Sequence, residues 1–175
     1  MQKTSRSTDL ASSTVLAEAQ VLGAILHREG DGIASMPFAD EDFLSETHRR
    51  IWRVMAKRHE DGEPINAATI YREAETKASV CIQIMNTVVT GANLAYFAEE
   101  LGRIIVARKR KAISKAMALD VQTAPDPVSV ARQAEKEIEA IQARYLPSCC
   151  EPEFEAVLSR VFSDLRGGVV PDVLM

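Results

Sequence analysis

Residues 93–121 read NLAYFAEELGRIIVARKRKAISKAMALDV, a run with no proline and a single glycine, Gly102. Leu94, Phe97, Leu101, Ile104, Ile105, Ile113, Ala116 and Leu119 recur along it at helical spacing, which predicts one long helix started by Asn93. The next residues, Thr123-Ala124-Pro125-Asp126-Pro127, form a turn in which Asp126 caps a new helix and Pro127 takes its first position. That helix runs to about Tyr145, with Val130, Ala134, Ile138, Ile141 and Tyr145 along one side. Two long helices joined by a short turn make an antiparallel hairpin. A hairpin cannot bury both apolar stripes alone, so Ile105, Ile113, Met117, Ile138 and Ile141 are expected to form a self-association surface, pairing two hairpins into a four-helix bundle.

Upstream, the segments are shorter. Residues 1–13 are rich in Ser and Thr and read as a flexible lead-in. A helix is expected from about Thr14 through Leu26, ended by Gly30 and Gly32. Another follows from Glu46 to about Glu60, capped by Ser45, burying Ile51, Val54 and Met55 with Trp52 on its flank. Gly62 and Pro64 stop it, Asn66 caps a segment over 67–76, and a further short helix covers 78–88. None of these pieces is stable alone, so they should pack into one small bundle, a head spanning 14–101. The hairpin, 93–145, shares its first helix with that head.

Beyond Tyr145, Pro147 and Pro152 bracket a linker, and residues 153–166 carry Phe154, Val157, Leu158, Val161, Phe162 and Leu165 on one helical side. The 146–175 region thus reads as a linker plus a docking helix, with Phe154, Leu158, Val161, Phe162 and Leu165 as its contact residues. The fold class expected for the whole is all-α, a small helical bundle followed by the hairpin and this linker helix.

The chain has 175 residues and a formal net charge of −4, which makes it no electrostatic nucleic-acid binder as a whole. Its low aromatic content, 5%, and its Ala, Glu, Leu and Arg richness favour helices over strands. No apolar stretch reaches the roughly 20 residues of a membrane span, and the polar first ten residues lack a signal peptide's apolar core, so a cytoplasmic protein is expected. Cys81, Cys149 and Cys150 suggest free thiols rather than a disulfide framework. His27, His48 and His59 are spaced wrongly for a metal pair and are expected to pack or lie at the surface. No G-x-x-x-x-G-K-[ST] phosphate loop, G-x-G-x-x-G or G-x-S-x-G occurs. The expectation is a chain with no active site, cofactor or metal. One charge feature stands out: Arg103, Arg108, Lys109, Arg110, Lys111 and Lys115 crowd the first hairpin helix. They read either as a solvated face balanced by Glu99, Glu100 and the acids of the second helix, or as contacts for an acidic partner or a nucleic-acid backbone.

The order of features is more specific than any one of them. Ala19-Gln20-Val21-Leu22-Gly23-Ala24-Ile25-Leu26 comes first, then Asp42-Phe43 and Ser45-Glu46-Thr47-His48-Arg49-Arg50-Ile51-Trp52. Gly62-Glu63-Pro64-Ile65-Asn66 follows, then Asn93 with Tyr96-Phe97-Ala98-Glu99, and Arg108 in the basic run. From about Val15 to Tyr145 this succession resembles the N-terminal domain of the DnaB-type bacterial replicative DNA helicases. The resemblance implies a head of about six helices. It also implies hairpins that pair between subunits, closing as a trimer of dimers into a six-membered collar. That collar would stack on ATP-hydrolysing motor domains and offer a docking surface for primase, with residues 153–166 as the helix that packs on a neighbour's motor domain. Three departures stand beside it. Ala19 replaces the family's acid before Gln20, with only local helix capping at stake. Gly102 replaces a long basic residue, at about 1 kcal/mol of helix propensity relative to Ala. The 77–90 segment is short and lacks the family's leucine pattern, which weakens the inheritance of a primase-facing surface.

The resemblance makes the chain an oligomerisation and partner-docking domain of a replicative helicase, without the motor domain, so ATPase and unwinding are not expected of it. The alternative is a stand-alone phage or mobile-element adaptor that binds a host helicase and inhibits or loads it. A third option, the helicase-binding tail of a primase, fits the 45–52 run and the linker helix less well. With its net negative charge and no basic-aromatic platform, the chain is expected to hold single-stranded DNA only in the non-specific range, with Kd of roughly 10⁻⁴ to 10⁻⁶ M at physiological salt. Nanomolar retention in a filter-binding titration at that salt would instead make the basic run a true DNA contact.

Overall fold

The capping residues place most helix boundaries where the sequence puts them. A computed structural model describes residues 5–120 and 126–146, with the side chains of 5–11 and 127 left aside. The described residues form six α-helices: α1 (Ser5–His27), α2 (Glu46–Glu60), α3 (Ala67–Glu73), α4 (Ala78–Met85), α5 (Leu94–Asp120) and α6 (Pro127–Tyr145). Short 3₁₀ turns occupy Ile33–Ser35, Asp40–Asp42 and Gly91–Asn93, and no strand occurs among the described residues. The fold is all-α, as expected.

Ser45 accepts a hydrogen bond from the His48 amide, Asn66 from the Thr69 amide, and Asp126 from the amides of Val128 and Ser129. Each satisfies donors that the first helical turn leaves open. Three expectations shift. α1 begins at Ser5, well inside the segment read as flexible, because the hydroxyl-rich run holds no Pro or Gly to stop a helix extending upstream. The side-chain cap at the entrance to α5 comes from Thr90, which accepts from the Ala92 amide, and Asn93 lies in a 3₁₀ turn. α3 and α4 end about one turn early. Glu75 turns the chain into the left-handed region after α3, and the Thr87 hydroxyl bonds back to the Ile84 carbonyl after α4.

α1 is the central post, with Val21, Leu22, Ala24 and Ile25 fully buried and α5, α4 and α2 packed around it. Gly23 is the contact point with α4: a Cβ there would lie 2.5 Å from the Ile84 carbonyl oxygen, so the two backbones touch without side chains between them. Ile51 and Met55 of α2 point into the same core, and Val54 is half-buried. Trp52, expected on the flank, is only 4% exposed. The loop before α2 folds over it, stacking Phe43 on the indole at 5.2 Å and setting Phe38 edge-on at 6.1 Å.

The hairpin grows out of this core. Leu94, Leu101, Ile105 and Val106 of α5 are buried in the head, as are Tyr145 and Leu146 at the far end of α6. Each such aliphatic side chain contributes about 1.5–3 kcal/mol. Gly102 is where α6 comes home: a Cβ at this position would meet the Tyr145 carbonyl oxygen at 2.7 Å. The glycine that weakens the isolated helix is what lets the hairpin's two ends close. Gly102→Ala is therefore expected to destabilise the fold by a net of about 1 kcal/mol, since an overpacking cost of about 1–3 kcal/mol exceeds the propensity gain. A thermal melt should show the midpoint lowered by a few degrees; an unchanged or raised midpoint would mean that α6 yields freely at this contact.

Candidate functional site

Where the hairpin joins the head, a carboxylate is buried. Asp42 is 1% exposed at the end of its 3₁₀ turn and carries the only charge that turn sends inward. Its Oδ2 accepts from the Ala39 amide at 2.9 Å and from the Tyr145 hydroxyl at 2.7 Å, and its Oδ1 pairs with Lys109 Nζ at 2.7 Å. Lys109 also donates to the Tyr145 hydroxyl oxygen at 2.8 Å and lies over that ring. Head, α5 and α6 are thus tied by one polar knot. Tyr145 further stacks on Phe38, and Arg144 Nε donates to the Pro37 carbonyl at 3.0 Å. Arg108 Nη2 donates to the main-chain carbonyl of Asp42.

Burial alone would raise the Asp42 carboxyl, but the Ala39 amide, Lys109 and Tyr145 outweigh it and hold the pKa below the usual carboxylate value. Burial pulls Lys109 the other way, and its bonds to Asp42 and Tyr145 leave its pKa raised. Burial, together with the Asp42 carboxylate, also pushes the Tyr145 hydroxyl up. The knot accordingly keeps one charge arrangement throughout the neutral range.

A second buried carboxylate braces the same turn from the other side. Glu18, fully buried on α1, accepts from the amides of Leu44 and Ser45 and pairs with His48 Nδ1 at 3.0 Å. It sits at the N-terminal end of α2, where negative charge is favoured. An acid one residue before Ala19 therefore does the tethering, so the change at position 19 costs the structure no such contact. His27 donates or accepts through Nε2 at the Met85 carbonyl, and His59 is exposed. All three histidines have packing or surface roles. Cys81 is a buried free thiol whose pKa burial raises. No cluster that could hold a metal ion occurs among the described residues.

Further out, α5 and α6 leave a groove of about 730 Å³ between them, walled by Ala112, Ile113, Ala116, Met117, Val130 and Ala134 and rimmed by Asp120, Gln133 and Glu137. Of the residues expected to self-associate, Ile113 and Met117 line it, and Ile138 is half-buried along the same hairpin. Ile141 packs at the edge of the head core. Ile105 is a correction: it is fully buried inside the head and has no surface to offer another chain, because the head reaches further along α5 than the apolar stripe reveals. The basic run also divides. Arg103 pairs with Glu99 at 2.6 Å, Lys109 belongs to the knot, and Arg108 is half-committed to it. Arg110, Lys111 and Lys115 are exposed. The docking-helix residues Phe154, Leu158, Val161, Phe162 and Leu165 lie outside the described residues, as do Cys149 and Cys150.

The family model of the DnaB-like helicase N-terminal domain matches residues 11–103, just over half of the chain. The chain belongs to that family. The replicative DNA helicase DnaC of Bacillus subtilis is 30% identical over 145 residues, covering 77% of this chain and 32% of that protein, so the chain spans about a third of its relative's length. Among solved structures, the N-terminal domain of DnaB helicase from Mycobacterium tuberculosis superposes with a TM-score of 0.61 at 24% identity, over 71% of this chain and 95% of that one. A DnaB-like replicative helicase, from a structure that also treats its interactions with primase, gives a TM-score of 0.62 at 18% identity, over 87% of this chain and 36% of that one. The hairpin thus has counterparts in that fold beyond the span of the family model.

This DnaB-type domain spends its motif residues on the junction. Asp42, Phe43, His48, Arg49 and Arg108 all meet around one turn, since Arg49 Nη2 donates to the Phe43 carbonyl at 3.0 Å. Sequence reading picked out those positions but not their partners Glu18 and Tyr145, which lie 26 to 103 positions away from the residues they bind. Because the folded Asp42 pKa lies below its unfolded value of about 3.9, its stabilisation is present above that pH and is lost as pH falls through the folded value. Asp42→Asn should cost about 2 kcal/mol at pH 7, with the gap to the parent narrowing below about pH 4. Urea titrations at the two pH values measure both numbers; a gap independent of pH would remove the charge from the account.

Proposed function

We propose that the chain serves as the self-associating and partner-docking domain of a replicative helicase, acting in DNA replication by assembly and with no chemistry of its own. The carrying observation is the groove between α5 and α6, whose apolar walls stand open in the single chain while the hairpin's base is fixed to the head. Buried apolar walls of this kind gain by closing on a second hairpin of the same type, and a two-fold pairing needs only one such surface. Pairs of hairpins would then assemble into the ring that the motor domains of such a helicase require. The exposed Arg110, Lys111 and Lys115 carry the proposal for contact with an acidic partner or, weakly, with DNA. Primase is the proposed docking partner, supported by the primase interactions of the DnaB-like helicase with the same fold. The expected compartment is the cytoplasm, and no described helix is long and apolar enough to cross a membrane.

Ile113→Glu and Ile138→Glu test the assembly. Each should reduce the sedimenting mass to that of one chain, with the far-ultraviolet circular dichroism and thermal midpoint of the head retained. An unchanged mass would place the interface elsewhere. Loss of all helicity would show that the outer hairpin is needed for the head to fold.

A further inference from the structure

The groove that would receive a second hairpin also fits a segment of this same chain. The walls are small, with Ala112, Ala116 and Ala134 alternating with Ile113, Met117 and Val130, so they leave room for bulky side chains from outside, and the outer hairpin itself offers no aromatic. Residues 153–166 supply them. Helical spacing puts Phe154, Val157, Leu158, Val161, Phe162 and Leu165 on one side, an apolar face with aromatic ends and no partner assigned within the described chain.

The reach agrees. α6 ends at Tyr145 against Gly102, so the chain leaves the hairpin at its base. From there to the groove residues Glu137 and Val130 is about 12 to 22 Å along α6, at about 1.5 Å per residue. The six residues 147–152 can extend about 20 Å, and a helix over 153–166 would be about 21 Å long, matching the groove. A doubling back beside α6 thus sets the two aromatics over the alanine walls. A tether this short holds its segment at an effective concentration of about millimolar, above that of any second chain in dilute solution.

The geometry points to residues 153–166 as an intramolecular occupant of the α5–α6 groove, which competes with the second copy and holds the chain back from self-association. This rests on the reading of the groove as the self-association surface. A partner that takes hold of the tail helix would free the groove and promote assembly, coupling docking at one end of the domain to pairing at the other.

The test uses the full chain with Leu158→Glu and Phe162→Glu together, which leaves head and hairpin intact. With methyl-labelled methionine, Met117 is the groove-lining reporter among the described residues. At a concentration where sedimentation shows single chains, the double substitution should move the Met117 methyl resonance. At higher concentration it should tighten self-association by about tenfold, the effect of removing a competitor that fills the groove nine-tenths of the time. A Met117 resonance that does not move overturns the proposal, as does weakened association, which would put the tail between chains. The two readings fail separately. If Ile113→Glu leaves the mass unchanged while the tail substitution still moves Met117, the groove holds the tail and self-association lies elsewhere.

Discussion

A carboxylate with no water around it must be surrounded by donors, and the placement of Asp42 makes three separate pieces of chain supply them. The Ala39 amide comes from its own turn, the ammonium from α5 and the phenol from the last residue of α6. Removing any one donor leaves a buried charge short of partners, a costlier state than an exposed pair that simply parts. The head, the hairpin's first helix and the hairpin's return are therefore fastened at one point. The aromatic stack of Phe38 on Tyr145 and Phe43 on Trp52 walls off that point from solvent, which strengthens the polar contacts inside it.

This arrangement divides the molecule into a fixed base and a free end. Near the head, α5 and α6 are held by core burial, by the knot and by a backbone contact at Gly102 too close for a Cβ. Beyond Ile113 the same two helices face each other across an apolar groove rimmed by charges. Stability is concentrated at the base and surface for association at the tip. Substitutions at the tip can therefore alter assembly with little effect on folding, whereas those at the base affect both.

The sequence made the helices, most of their caps and the hairpin legible because these depend on neighbours within a few residues: Ser45, Asn66 and Asp126 each cap the helix that starts beside them. It also exposed Asp42, His48 and Arg108 as members of an ordered pattern. What it did not reveal was which groups they meet. Glu18 reaches Leu44 across 26 positions and Tyr145 reaches Asp42 across 103, distances at which spacing carries no signal. The same blindness explains Ile105, which shares the stripe of Ile113 but lies beneath the head. Gly102 shows the converse case, in which helix propensity marked a defect and the three-dimensional contact supplies its reason. Trp52 was misplaced because the loop that covers it, rather than its own helix, decides its burial.

α5 continues from the head core to the hairpin tip as one uninterrupted helix, Leu94–Asp120. Nothing along it can absorb a change of direction, so it behaves as a lever whose pivot is the buried base. From Ile105 to the tip is about 22 Å of rod, and tilting the base by about 5° would carry the tip sideways by about 2 Å, enough to slide one side chain out of register with its neighbour. The precision with which two such tips can meet is therefore set far from them, by how tightly one buried aspartate is gripped.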